Sequence, residues 1–289
     1  MGDRKVEELR LKVRKALAGG SEAARAKHVE AGKLMVRERL KRLFDGGDFE
    51  FEDGLLAGGE RDLPADAIVT CIGKVHGRDV AVIANDMTVK AGSWGHTTFL
   101  KLTRMQEIAT EARIPLVYLI DSAGARVDEQ ADSYLGRRAW GNIFYNQVVI
   151  SGIVPQVCAL FGPSPAGAAY IPALCDLTIM VDKQATAMLG SPRMAKMTIG
   201  EDISEEELGG ARRRLAVVLR LVGFQGAKQR LRREPHPDAR HPLVTPRPLD
   251  GQKPHQRASL PLHAVTTTAS TTPAAHANDV LPTPDMPNR

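Results

Sequence analysis

Apolar residues recur at helical spacing near the start of the chain: Val6, Leu9, Val13 and Leu17, then Leu34, Leu40 and Leu43, set among many Arg, Lys and Glu. This pattern predicts two charged amphipathic helices over 4–18 and 22–44, ended by the Gly19-Gly20 and Gly46-Gly47 pairs. Their charges are mixed in sign, which fits a layer covering a core or a subunit surface better than a nucleic-acid helix. From Ala65 the period changes. Ala67–Val75 and Asp79–Asn85 are β-rich runs joined at His76-Gly77-Arg78, and they predict a hairpin. Asn85 to His96 then reads as a polar loop, and Thr97 or Thr98 caps a helix running to about Arg113, with Leu100, Met105, Ile108 and Ala109 near one face.

The next stretch repeats its own logic. Ile114 to Asp121 is a buried strand that runs directly into Ser122-Ala123-Gly124-Ala125-Arg126. About forty residues later Gln156–Phe161, also a buried strand, runs into Gly162-Pro163-Ser164-Pro165-Ala166-Gly167-Ala168-Ala169. A helical segment around Tyr134 to Ile153 lies between them. Strand, helix and strand at this spacing predict parallel β-structure with crossovers, so the two small-residue turns leave equivalent strand ends and can face one ligand atom. A further strand spans Asp176–Val181, and Glu201 to Leu208 reads as a short acidic helix.

The later turn carries the candidate chemistry. If Ala166 opens a helix, the N–H groups of Gly167 and Ala168 point out of its first turn, with the helix dipole behind them, and can hold a developing negative oxygen. Such a site works through preorganised main-chain donors and needs no titratable side chain. An ordinary glycine-rich connection between strand and helix fits the same letters.

Composition divides the chain in two. Of 289 residues 43% are hydrophobic, enough for a proper core, but the formal charge of +5 is unevenly placed. Residues 212–289 hold 13 Lys and Arg against 5 Asp and Glu, together with 11 of the 18 prolines and 5 of the 8 histidines. The body is therefore slightly acidic and the tail basic. A Pro/His/Thr-rich tail of this kind buries too little apolar surface to offset its chain entropy, and it is expected to be disordered beyond a helix near Arg213 to Leu221. Its histidines lack the paired spacing of a zinc site, and its arginines lack stacking aromatics beyond Phe224, which disfavours nucleic acid. Cys71, Cys158 and Cys175 are dispersed and read as buried hydrophobes in a reducing compartment. The N-terminus lacks a signal-peptide core, and four prolines interrupt the long uncharged run from Ala139 to Cys175, so the expectation is a cytoplasmic protein without a membrane span.

Taken together these segments resemble the β, or carboxyltransferase, subunits of biotin-dependent acyl-CoA carboxylases of the methylcrotonyl-CoA and propionyl-CoA type. The resemblance is carried by Arg37-Glu38-Arg39-Leu40 through Phe44-Asp45, Asn85-Asp86 through Thr88-Val89-Lys90, Asp121 to Arg126, Ile143-Phe144-Tyr145-Asn146-Gln147, Gly162 to Ala173, and Glu206 to Ala211. In order and spacing it covers residues 1–211. It implies an α/β fold of the crotonase-like ββα spiral type with N-terminal helices, forming the acyl-CoA-binding half of a two-half body. It also implies a homo-oligomer, a biotin carboxylase and biotin carrier subunit as partners, biotin carried on that separate subunit, and no metal. Carried over by position, Gly167 and Ala168 hold the enolate oxygen, with Ala123 and Gly124 as the facing bend. Lys90 and Arg126, beside glycine-rich turns, are candidates for CoA phosphate or carbonyl contacts, with solvated surface charge as the alternative, and Gly92, Ala166 and Tyr170 line the same ligand. The family has glycine where Ala168 and Ala123 stand here, which keeps the main-chain donor but narrows the pocket.

The resemblance stops at Ala211, where the family continues into a second domain and this chain switches abruptly to its basic tail, as a reading-frame change would produce. The expectation is a carboxyltransferase half with little or no activity alone. Two other readings compete. A crotonase-like hydratase or decarboxylase would use Asp121, Asp128 or Glu129, and a non-catalytic protein would bind an acidic partner through its tail. A serine hydrolase is disfavoured because Gly162-Pro163-Ser164-Pro165-Ala166 lacks the final glycine of a nucleophile elbow.

Overall fold

The computed structural model describes residues 2–133 and 140–212 and the backbone of 266–269. In chain order the elements are α1 (Gly2–Ala18), α2 (Glu22–Glu30), α3 (Val36–Leu43), β1 (Phe51–Asp53), β2 (Ile68–Val75), β3 (Arg78–Asn85), α4 (His96–Ala112), β4 (Leu116–Ile120), α5 (Gln130–Ser133), α6 (Gly141–Ile150), β5 (Gln156–Leu160), β6 (Pro163–Pro165), α7 (Tyr170–Leu174), β7 (Leu177–Val181), β8 (Thr186–Met188), α8 (Pro192–Ile199), α9 (Glu205–Gly209) and β9 (Thr266–Ala269). The main sheet runs β1-β2-β3-β4-β5-β7-β9, and β6 pairs with β8 in a separate two-stranded sheet. The first three strands are antiparallel, and β3, β4, β5, β7 and β9 are mutually parallel.

Period-2 alternation sorts the strands between two cores. Ile68, Ala81, Ile83, Leu116, Tyr118, Ile120, Cys158 and Leu160 pack on one face with Leu102 and Met105 of α4, Ile143 and Ile150 of α6, and Ile171 of α7. The intervening residues Val69, Cys71, Val80, Val82, Ala84 and Leu119 face the other way, against Val36 and Leu40 of α3 and Phe44. A sheet covered by helices on both faces explains why β3, β4 and β5 read as nearly continuous apolar runs. The predicted hairpin is present. His76 and Gly77 both take positive φ, 52° and 73°, as a two-residue turn with right-handed strand twist requires. The Asp45 carboxylate accepts the N–H groups of His76 and Gly77 at 3.0 and 2.7 Å, which holds its pKa below the ordinary value.

Several expectations change. The helix expected over 22–44 is two helices, because Gly32 adopts φ 72° after Ala31 and the chain turns before restarting at Val36. The segment expected around Tyr134 to Ile153 resolves into α6, with residues 134–139 outside the described residues. Helix α8 was not foreseen, and β6 and β8 were too short to register as strands. The Glu201 to Leu208 helix begins at Glu205, where Ser204 caps it and Glu207 completes the capping box. The N–H of Gly95 donates to Thr98 Oγ1 at the start of α4, so the cap stands two or three residues before the expected Thr97 or Thr98. Most of the tail, including the helix expected near Arg213, lies outside the described residues. Two parts of it are described: Arg212 is ion-paired with Asp182 at 3.0 Å, and Thr266–Ala269 forms the edge strand beside β7. The three cysteines are free, Cys71 and Cys158 fully inside. Among the described residues no helix is long and apolar enough to cross a membrane.

Candidate functional site

The two small-residue turns meet. Parallel pairing of β4 with β5, Leu116 opposite Gln156 through Ile120 opposite Leu160, brings both strands to the same end of the sheet. There the Ser122 N–H donates to the Pro163 carbonyl and the Phe161 N–H to the Ile120 carbonyl, at 2.9 and 2.8 Å. Gly124, at φ 93°, lies so close to Pro165 that a Cβ there would stand 3.2 Å from the proline ring. The segment Asn85 to His96, expected as a polar loop, is through Gly95 a largely buried strap over the first bend. The Ala123 N–H donates to the Ala91 carbonyl at 2.9 Å, the Trp94 N–H to the Gly124 carbonyl at 2.8 Å, and Ser122 Oγ to the Gly92 carbonyl at 2.8 Å. Gly92 is at φ 64°, and a Cβ would come within 2.3 Å of the Asp121 carbonyl oxygen, so the strap closes only on glycine.

This strapping alters the role expected of Ala123 and Gly124. The Ala123 amide is held by Ala91, and the Gly124 amide donates to Ser122 Oγ at 3.0 Å. Both donors are engaged inside the protein, and the bend acts here as a wall against Pro165. The later turn differs. Ala166–Ala169 is a 3-10 turn leading into α7, where an α-helix was expected to open at Ala166, and Ala166 takes φ 50°. Closing i to i+3, such a turn leaves only its first N–H groups without a helical acceptor. Gly167 is among these and is half-buried; Ala168 is buried, and its carbonyl accepts Ser164 Oγ at 2.9 Å. Tyr170 is exposed and meets Phe144 edge-on, ring centroids 5.1 Å apart, close to Gly167, whose added Cβ would sit 3.6 Å from Phe144.

Of the two cations singled out in the sequence, only Lys90 is at the surface, where its Nζ lies 2.8 Å from Asp128. Arg126 was expected to reach CoA and is instead fully buried. It donates to Asp66 Oδ1 at 2.9 Å, the Asp66 carbonyl at 3.2 Å and Glu129 Oε1 at 3.1 Å. No face of this guanidinium is left for a ligand. Glu129 also receives the His96 N–H at 2.9 Å and pairs with Arg61 at 2.8 Å. Burial alone would raise its pKa, but the His96 amide, Arg61 and Arg126 together hold it below the ordinary value. A hydratase acid needs the opposite shift, so the Glu129 reading loses its basis.

The helix break was the signal for what the sequence reading missed. Past Gly32, Lys33 turns inward and its Nζ sits 3.0 and 3.1 Å from the two oxygens of Asp121, the fully buried residue that ends the first strand run. Arg39 reaches the same carboxylate at 3.1 Å while its guanidinium lies 4.4 Å over the Phe161 ring. Gly162 admits this cluster, since a Cβ there would fall 1.9 Å from Asp121 Oδ1. A cleft of about 490 Å³ opens between α1, α2 and α3, lined by Leu17, Arg25, Val29, Met35 and Arg37, and it shares no residue with either bend.

Residues 27–217 match the family described as carboxyl transferase domain. The chain is 58% identical over 195 residues to the uncharacterized carboxylase YngE of Bacillus subtilis, covering 67% of this chain and 38% of that one. It is 43% identical over 211 residues to the biotin-dependent 3-methylcrotonyl-coenzyme A carboxylase beta1 subunit of Mycobacterium tuberculosis, covering 72% and 40%. Among solved structures it is similar to transcarboxylase 12S, a hexamer crystallised with methylmalonyl-coenzyme A, with a TM-score of 0.67 and 35% identity over 73% of this chain and 42% of that one. The chain spans about two fifths of the length of the curated relatives it matches.

Proposed function

The chain belongs to the carboxyl transferase domain family and has its mixed α/β, crotonase-like fold, and from that premise we propose that residues up to about 211 form the acyl-CoA-binding half of a biotin-dependent carboxyltransferase. The observation that carries the reading is the meeting of the two strand ends, Ser122 on Pro163 and Gly124 on Pro165, beside the Ala166–Ala169 turn, whose first N–H groups, that of Gly167 among them, have no helical acceptor. An acyl thioester oxygen placed at that turn gains negative charge as its α-carbon loses a proton. The Gly167 N–H, with Ala168 and the start of α7 behind it, stabilises that charge more than it stabilises the neutral thioester. In this reading Ala166 and Tyr170 flank the acyl chain, and Lys90, the exposed cation of the strap paired with Asp128, meets a CoA phosphate. Arg126 has no part in binding.

Neither bend carries a His, Glu or Cys, and the three acids the sequence singles out, Asp121, Asp128 and Glu129, are all in ion pairs. This donor set fits chemistry in which the proton acceptor comes from outside the chain. Biotin carboxylated on its ureido nitrogen, carried on a separate carrier subunit, would supply the carboxyl group, and the nitrogen freed by its loss would supply the base. What these residues do is bind the thioester, orient its carbonyl and hold the charge. A homo-oligomer and a biotin carboxylase partner belong to the same reading, as does a second carboxyltransferase half that brings the biotin.

Calorimetric titration of the purified chain with propionyl-CoA and with a branched unsaturated acyl-CoA tests it. Saturable one-site binding that Gly167→Pro weakens is expected, with little or no carboxyl transfer from a biotin derivative by the chain alone. Absence of acyl-CoA binding overturns the assignment, and efficient transfer overturns the need for a second half.

A further inference from the structure

From the geometry of the cluster at Asp121 we infer that Lys33 and Arg39 are positioning residues for the acyl-oxygen site: clamped on one carboxylate, they set the spacing of the two bends and fix two cations against one anion at their common root. The inference rests on the reading of the 166–169 turn as the oxygen site. Asp121 is the residue from which the first bend departs, and Phe161-Gly162 is where the second departs. Lys33 touches both, since its Nζ hydrogen-bonds both Asp121 oxygens and stands 2.8 Å from where a Cβ of Gly162 would be. Arg39 also touches both, through Asp121 Oδ2 and the face of Phe161. Lys33 lies in the break itself, just past Gly32, and Arg39 lies in α3 beyond it. His28 of α2 completes the corner: its Nε2 lies 3.1 Å from the Leu34 carbonyl and 3.5 Å from Arg39.

An ion cluster of this kind is a costly way to hold two loops if holding were its whole role, because taking charges out of water offsets most of their attraction. Two features set it apart from a plain clamp. Each of its cations contacts both strand ends, and two cations share one carboxylate in a low-dielectric setting, where an unbalanced positive charge acts over a longer range than in water. A site that develops an oxyanion is served by positive charge that is already in place and does not reorganise as the reaction proceeds. Lys33 is the separable member, because it is the more exposed of the two and leaves Arg39 on Asp121 when it is removed.

The test uses the full chain and two CoA thioethers of similar length, neutral S-propyl-CoA and anionic carboxymethyl-CoA, whose carboxylate stands in for the developing oxyanion. Lys33→Met is expected to lower affinity for carboxymethyl-CoA at least tenfold and to leave S-propyl-CoA within about twofold. The Lys74→Met change at the exposed Lys74–Asp79 pair is expected to alter neither. Amide hydrogen exchange gives a readout that needs no ligand. The Ser122 and Phe161 amides, which bridge the two strand ends, are expected to exchange at least tenfold faster in Lys33→Met while the Tyr118 amide within β4 is unchanged. Equal losses for the two thioethers, or no loss, overturn the role in oxygen binding. Unchanged exchange at both bridging amides overturns the positioning role. If the unsubstituted chain binds neither thioether, the acyl-CoA reading fails by itself, and the exchange rates still decide whether Lys33 spaces the bends.

Discussion

The Ser122 amide donates to the Pro163 carbonyl at 2.9 Å, joining the bend after β4 to the bend after β5 across 41 residues of chain. The bond exists because β4 and β5 are parallel neighbours in register, so their C-terminal ends fall side by side. Open α/β sheets bind ligands at the carboxyl ends of their strands for this reason. Here the register also brings Asp121 next to Gly162, which makes the glycine at 162 a condition for the site.

Gly162→Ala is therefore expected to be severe. Its Cβ would fall 1.9 Å from Asp121 Oδ1 and displace the Lys33–Asp121 contact, and breaking a buried ion pair costs about 3–5 kcal/mol. Gly32→Ala, at φ 72° with open space around it, meets only backbone strain of about 1 kcal/mol. Urea denaturation of the two variants separates the effects, and comparable losses would mean that the Asp121 cluster yields to a methyl group.

Arg126 and Lys90 are expected to divide between stability and binding. Arg126→Met leaves the buried Asp66 with the Thr98 hydroxyl and, as its remaining ion-pair partner among the described residues, the more exposed Arg61, and a loss of about 3–5 kcal/mol follows. Lys90→Ala removes an exposed pair and should shift stability by less than about 1 kcal/mol. Acyl-CoA affinity is expected to fall for Lys90→Ala but to be unchanged for the dephospho form of the ligand if the contact is to the 3′-phosphate. Equal weakening for both forms would move Lys90 to another part of the ligand.

Lys101 makes a pH prediction. Its ammonium lies inside the protein, donating to the Ala65 carbonyl at 2.9 Å and to that of Ile68. Burial pushes its pKa down to about 8, against the opposing pull of Glu52, Asp66 and Asp53. The unfolded chain keeps this proton to about pH 10.5, so between pH 8 and 10.5 the unfolded state binds more protons and stability rises with pH. Cys71, pushed up to about 12 by burial, acts in the opposite sense above pH 9, because its thiol ionises first in the unfolded chain. The clean observable is the difference between the native chain and Lys101→Met. It should grow in favour of the native chain by about 3 kcal/mol from pH 8 to 10.5, measured as urea midpoints at several pH values. Parallel curves would place the Lys101 pKa at its ordinary value.

The strands, the hairpin and both bends were legible because period and small-residue turns are local properties, and parallel order followed from the alternation with helices. The Lys33 contact was hidden. The helix expected over 22–44 rested on Leu34, Leu40 and Leu43, all of them beyond Gly32, and nothing in the letters separates a glycine tolerated in a helix from one that ends it. Arg126 was misjudged for a related reason. A cation after a glycine-rich turn reads as a ligand contact, while its partner Asp66 sits 60 residues away in a run of positive-φ residues, Ala65 to Ala67, that no local pattern announces. The Ala123 amide is engaged by Ala91 of the strap, a tertiary contact without a sequence signature, and the Gly124 amide by Ser122 Oγ, which itself donates to the Gly92 carbonyl.

The main-chain donor at Gly167 can be separated from its surroundings by two substitutions at one position. Gly167→Ala keeps the N–H, and its Cβ would meet Phe144 at 3.6 Å, an ordinary contact. Stability and ligand affinity should both change little, within about 0.5 kcal/mol. Gly167→Pro removes the N–H and leaves a ring of modest size in its place. Loss of a single oxyanion donor costs about 3 kcal/mol in enzymes where it has been measured, so affinity for carboxymethyl-CoA is expected to fall about 100-fold while that for S-propyl-CoA holds. Far-ultraviolet circular dichroism and the unfolding midpoint of Gly167→Pro guard against a folding defect. A variant that folds and still prefers the anionic thioether would show that the oxygen is held elsewhere, and the Gly167 turn would then be only a connection between β6 and α7.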